Sequence, residues 1–143
     1  MRIRDVLAAK ADPTVHTVAP DLSVRDLVAR LAEHNVGALV VSRDGASVDG
    51  IVSERDVVRH LHSDPDVLSA QVRTIMTTEV HSCAPDADPD SLMSEMTERR
   101  IRHVPVLDGG RLIGIVSIGD VVKHKIDALQ FERDQLDSYV HQS

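Results

Sequence analysis

An internal duplication limits what this chain can fold into. Val15-His16-Thr17-Val18-Ala19-Pro20 returns as Val80-His81-Ser82-Cys83-Ala84-Pro85, an offset of 65 residues. Val24, Leu27, Val28 and Leu31 follow at the i, i+3, i+4, i+7 spacing of an amphipathic helix, and the same offset carries the last three onto Leu92, Met93 and Met96. Ser23 stands as the N-cap of the first helix. Asp88 does so for the second, with Pro89 at the first helical position. A buried-strand pattern comes next in each copy, Val36 to Val41 and Ile101 to Val106. Turn residues follow, Arg43-Asp44-Gly45 and Asp108-Gly109-Gly110. Gly50-Ile51-Val52-Ser53 then matches Gly114-Ile115-Val116-Ser117. The offset falls to 64 there, because the first turn is one residue longer. Each copy therefore reads strand, helix, strand, strand, helix. One copy of about 60 residues is marginal alone, whereas two can bury their sheets against each other around an approximate twofold axis. The cleft between them then occurs in two similar versions.

Two such repeats, each with Gly-Ile-Val-Ser-x-x-Asp before its last helix, resemble the CBS domain pair, a family named after cystathionine β-synthase. The resemblance runs from about Met1 to Lys125 and includes Ile75-Met76-Thr77 and Arg102-His103-Val104-Pro105-Val106. It implies an α/β (α+β) fold: two β-α-β-β-α repeats packed as a pseudo-twofold Bateman module, plus a C-terminal helix extension. The expected units are 1–70, the first repeat with its N-terminal segment and linker, 71–125, the second repeat, and 126–143, a helical extension.

The resemblance also implies a regulatory module that binds an adenine nucleotide, AMP or NAD(H) first, with ADP and ATP next, and that is not an enzyme. Its output would go to a separate, unknown partner protein. Ser53 with Asp56, and Ser117 with Asp120, would contact ribose and phosphate. Thr17 and Val36, Gly37 and Ala38 would line the base in the first repeat, and Ser82, Ile101, Arg102 and His103 in the second. Met76, Thr77 and Pro105 belong to the family-like stretches around these positions. Arg102 and His103 precede the Val-Pro-Val strand, where basic residues often meet phosphate. The first repeat has Gly37 and Ala38 there and offers Arg55 instead. The approach to the first repeat is also longer: Val6 to Pro20 spans four residues more than Ile75 to Pro85. The two clefts should therefore differ, with the second repeat's cleft favoured for binding.

Simpler readings compete with these. Ser53-x-x-Asp56 and Ser117-x-x-Asp120 are also helix capping boxes, and a serine cap contributes roughly 1 kcal/mol without any ligand. The recurrence at matched strand ends favours a cleft role, since free N–H groups at a helix N-terminus suit phosphate. Eight histidines raise a metal or redox reading centred on His81 and Cys83, but no spacing resembles a closed zinc site, so no metal is expected. Cys83 has no evident base beside it, and neither serine has a paired histidine. A constitutive interaction scaffold with vestigial clefts is the remaining alternative.

Composition narrows the partners. A net charge of -7 and a pI near 5.5 oppose nucleic acid and anionic membrane as main partners. Aromatic residues are 1% of the chain, so a base would be held between aliphatic side chains. One cysteine precludes an internal disulfide, and neither a signal-peptide core nor an apolar run of about 20 residues is present. The expectation is a soluble cytoplasmic protein. Val122, Ile126, Leu129, Leu136 and Val140 form a seam on the C-terminal helix, interrupted by Arg133, which suggests a homodimer contact.

Overall fold

The computed structural model describes residues 1–12 and 14–141. The elements run α1 (Ile3–Ala8), β1 (Thr17–Val18), α2 (Val24–His34), β2 (Ala38–Val41), β3 (Gly50–Ser53), α3 (Glu54–Ser63), α4 (Pro89–Arg99), β4 (His103–Asp108), β5 (Arg111–Ser117) and α5 (Ile118–Val140). Two 3-10 turns, Val67–Ser69 and Val72–Thr74, join the repeats. In the first sheet β1 pairs parallel with β2, and β2 pairs antiparallel with β3. In the second, β4 pairs antiparallel with β5, and Cys83 makes a single parallel bridge to Val106. The first strand thus shrinks to two residues in one repeat and one bridge in the other.

The helix boundaries follow from local chemistry. Ser23 Oγ accepts the Asp26 N–H at 3.1 Å, and Asp88 Oδ2 accepts the Ser91 N–H at 3.1 Å. Both helices end in the left-handed region, at Asn35 (φ 53°) and Arg100 (φ 56°). Asn tolerates that conformation, whereas Arg holds it at a cost. Gly109 and Gly110, both at positive φ, turn β4 into β5. On α2 the buried stripe is Val24, Leu27 and Leu31, with Val28 turned outward.

The segments that precede the repeats are exchanged. Ile3 and Val6 of α1 are buried with Leu92, Met96, Val104, Val106, Val116 and Val121, all in the second repeat. Val67, Val72 and Ile75 are buried with Val18, Leu27, Leu39, Val41 and Val52 of the first. The backbone repeats the exchange. The Ile3 and Arg4 N–H groups donate to Ala87 O (3.0 Å) and Pro85 O (2.9 Å). Those of Val72 and Arg73 donate to Leu22 O (2.8 Å) and Pro20 O (3.0 Å). Each approach segment therefore seals the core of the other repeat and crosses the boundary that sequence adjacency suggests at residue 70. Close fit makes this possible. A Cβ on Gly50 would lie 2.8 Å from Met76 Sδ, and one on Gly114 2.8 Å from Leu7 Cδ2.

Helix α5 leaves the body after its first turns. Val121 is buried and Lys125 Nζ reaches Asp90 Oδ2 at 3.2 Å, but Ile126, Leu129, Phe131, Leu136, Tyr139 and Val140 are exposed. Among the described residues no helix is long and apolar enough to cross a membrane.

Candidate functional site

Both Ser-x-x-Asp stretches form the capping boxes read from the sequence. The Ser53 N–H donates to Asp56 Oδ2 at 2.9 Å and the Asp56 N–H to Ser53 Oγ at 3.2 Å. The Ser53 hydroxyl also donates to Asp56 Oδ2, at 3.1 Å. In the second repeat the Ser117 N–H donates to Asp120 Oδ2 at 2.9 Å and the Asp120 N–H to Ser117 Oγ at 3.1 Å. Capping engages one carboxylate oxygen of each aspartate and leaves Oδ1 without a partner among the described residues. The local role and a ligand role are therefore compatible.

Two clefts of similar size separate the repeats. The first, of about 480 Å³, is lined by Gly37, Ala38, Ser53, Arg55 and Asp56 of the first repeat, by Thr77, which pairs with Ile51, and by Ile101, Arg102 and His103 of the second. The second, of about 500 Å³, is lined by Val36, Gly37, Ala38, Ser117, Asp120 and His103, with Lys10 and His16 from the first approach segment. Both fall in the range of small-molecule sites.

The expected residues are distributed differently over the two clefts. Arg102, expected to favour the second repeat's cleft, lines the first, opposite Ser53 and Asp56. His103 lines both. Thr17, Met76, Ser82 and Pro105 line neither. Thr17 is paired with Val40 in the sheet, and Met76 covers Gly50. Ser82 lies on the exposed flank of the shortened first strand. Pro105 is buried in β4, where its carbonyl accepts the Cys83 N–H at 3.0 Å. The residues just before the first strand do reach the clefts, His81 the first and His16 the second, whereas Thr17 and Ser82 do not.

The charge of the first cleft is its main feature. Arg59, Arg99 and Arg100 join Arg55 and Arg102 around it, against the carboxylates of Glu54, Asp56 and Glu79. None of the five arginines forms an ion pair among the described residues. A concentration of unpaired guanidinium groups in a chain of net charge -7 attracts an anion. Arg59 lies four residues from Arg55 on the same face of α3, and Arg99 and Arg100 adjoin Arg102, but none of the three is among the residues expected from the sequence.

The second cleft is different. Lys10 and Lys123 face Asp12, Asp120 and Asp127, and four histidines contribute: His16, His34, His103 and His124. Lys10 Nζ stands 3.4 Å from Asp120 Oδ2. The rings of His16 and His34 stack with centroids 3.8 Å apart. No local pattern marked Lys10 or His34. Burial holds the His103 imidazole below the usual histidine pKa, although Asp120 and Glu54 pull the other way. Away from both clefts, burial and the nearby Glu95 carboxylate push the Cys83 thiol up to about 11, which opposes a thiolate ligand or nucleophile at neutral pH.

Comparison with known proteins agrees with this architecture. The family model of the CBS domain matches the chain twice, over residues 3–63 and 72–127. The mitochondrial CBS domain-containing protein CBSX3 of Arabidopsis thaliana is 36% identical over 146 residues, covering 96% of this chain and 71% of that protein. A CBS-domain-containing protein from Agrobacterium tumefaciens has a solved structure with TM-score 0.82 and 42% identity, over 87% of this chain and 99% of that one. The CBS domain pair of the protein MJ0100, solved with 5′-methylthioadenosine and S-adenosyl-L-methionine, shares the fold at TM-score 0.76 and 23% identity, over 90% of this chain and 98% of that one. The duplicated strand-helix-strand-strand-helix unit, the paired clefts and these matches together show that the chain belongs to the CBS domain family and carries two CBS domains.

Proposed function

We propose that this CBS pair is a cytoplasmic regulatory module, not an enzyme, that binds an adenine nucleotide and passes the signal to a separate protein. The observation that carries the reading is the first cleft. The capped N-terminus of α3 and the open Oδ1 of Asp56 line a cavity of about 480 Å³ together with five unpaired arginines, Arg55 and Arg59 from α3 and Arg99, Arg100 and Arg102 from the second repeat. The diol of a ribose is a donor pair suited to a carboxylate, and guanidinium groups with helix N–H groups suit phosphate. The adenosyl compounds bound by MJ0100 support the ribose and base part of this assignment. AMP and NAD(H) are the leading ligands, with ADP and ATP accommodated by the same arginines. The first cleft replaces the second as the preferred site. A ligand bridging the two repeats favours one inter-repeat angle over another, and that differential affinity is what carries a signal.

Calorimetry with AMP, ATP and NADH tests this. Binding is expected to weaken strongly in Asp56→Ala. Absence of heat at millimolar ligand, with folded protein, ends the reading.

The module is also proposed to be a homodimer. Beyond Lys125, α5 runs to Val140 with its apolar side chains exposed. An isolated helix of about 15 residues is marginal in water, so this stretch needs a covering surface. A second copy of the same stripe supplies one with closed symmetry.

A further inference from the structure

Helix α5 carries a stripe that the body of the protein leaves open. Val122, Ile126, Leu129, Arg133, Leu136 and Val140 follow one another at steps of four and three, the core spacing of a coiled coil. Exposure rises along the stripe from 38% at Val122 to 66% at Val140, so nothing in the chain itself covers its far end. Ile126, Arg133 and Val140 take the a positions of the heptad, and Val122, Leu129 and Leu136 the d positions.

Charge on and beside the stripe decides how a second copy can lie on it. In a parallel pair each core residue meets its own counterpart. Arg133 would then face the partner's Arg133 in the interior, and Glu132 would face the partner's Asp137 on both flanks. In an antiparallel pair a positions meet d positions, and one register matches all six. Val122 meets the partner's Val140, Ile126 the partner's Leu136, and Leu129 the partner's Arg133, each twice by symmetry. Moving by one heptad either way leaves two apolar residues of each stripe uncovered. Arg133 then lays its aliphatic stem along leucine and keeps its guanidinium at the edge.

The flanks agree with the same register. It sets Lys123 beside the partner's Asp137 on both sides and leaves one like-charged meeting, Glu132 with its own copy. Neither Lys123 nor Asp137 has an ion-pair partner among the described residues. Lys123 also lines the second cleft, so this register brings a carboxylate of the partner to the rim of that cleft.

We propose that α5 binds a second copy of this chain as an antiparallel two-helix coil in this register, with Lys123 joined to the partner's Asp137 beside the second cleft. The proposal rests on the homodimer reading and names the surface, its direction and its register.

The intact chain carrying Cys83→Ala, Val122→Cys and Val140→Cys tests this under mild oxidation, with linked peptides identified by mass spectrometry. Within one helix positions 122 and 140 lie about 27 Å apart, too far for a disulfide. A linkage between 122 and 140 therefore joins two antiparallel chains and is the expected product. Linkages of 122 to 122 and of 140 to 140 mean parallel pairing and overturn the proposal while the homodimer reading stands. A dimer by sedimentation that gives no covalent product overturns it too, because another face then holds the copies together. A monomer at micromolar concentration removes both. Charge reversal in chains that keep Cys83 reads the flank independently. Lys123→Glu and Asp137→Lys should each weaken the dimer about tenfold, the scale of two exposed ion pairs, and the two together should restore it. In a parallel pair Asp137→Lys would instead tighten the dimer by relieving Glu132. A double variant no tighter than either single one overturns the pairing of Lys123 with Asp137.

Discussion

Changing Ile3 to alanine should loosen the second repeat, about 80 to 120 residues away in the chain, and spare the first (Leu92, Val104 and Val116 lie around Ile3). Ile3 is fully buried, at 0% exposure. The substitution removes three buried carbons, about 2.4 kcal/mol of transfer free energy at roughly 0.8 kcal/mol each. The residual cavity brings the loss to about 3–4 kcal/mol. That is a large share of the total stability of a small protein, typically about 5–15 kcal/mol, but leaves it folded. Hydrogen exchange read by mass spectrometry is the assay. Amides of α4, β4 and β5 should exchange about 150- to 700-fold faster if they open as a unit, while those of β2 and β3 change little. Val72→Ala is the mirror experiment. Val72 is also at 0% exposure, and losing two carbons costs about 2–3 kcal/mol with its cavity, now felt in the first repeat. Faster exchange in β2 and β3 after Ile3→Ala, with β4 and β5 unmoved, would refute the exchange of approach segments.

Three further outcomes follow from particular residues. Arg100→Gly removes a side chain from the left-handed region and should stabilise the fold by about 0.5–1 kcal/mol while weakening phosphate-bearing ligands in the first cleft; a lower Tm by calorimetry contradicts the strain argument. The unmodified chain should sediment as a dimer at micromolar concentration and Leu129→Glu with Leu136→Glu as a folded monomer of somewhat lower Tm, because both leucines are more than half exposed in the single chain and lose the partner that covers them. The Cys83 thiol, raised from 9.0 to about 11, should hold about a hundredfold less thiolate at pH 8 than an unperturbed thiol, so iodoacetamide alkylation should be slow there and accelerate only as the pH approaches 11; rapid labelling of folded protein at pH 8 contradicts its burial.

Local chemistry was readable without coordinates. The N-caps Ser23 and Asp88, the capping boxes at Ser53 and Ser117 and the stripe on α2 depend on groups three or four residues apart, and each appears as expected. The duplication likewise announced two similar clefts. Arg55, Asp56, Ser117 and Asp120 reached those clefts because a helix start beside a strand end fixes them within one turn. Thr17 and Ser82 did not, because strand periodicity gives the face of a side chain but not how far the strand extends.

The sequence by itself determined the repeat, the elements and the chemistry at each helix start. Tertiary structure alone decided which repeat each approach segment completes, which cleft receives Arg102, and that Lys10 meets Asp120 and Ile115. Two repeats of the same pattern offer each approach segment two similar docking faces, so local pattern cannot choose between them. The observed choice is accompanied by contacts such as that between Lys10 and Ile115, 105 residues apart in the chain, and by Leu7 and Met76 packed closely over Gly114 and Gly50.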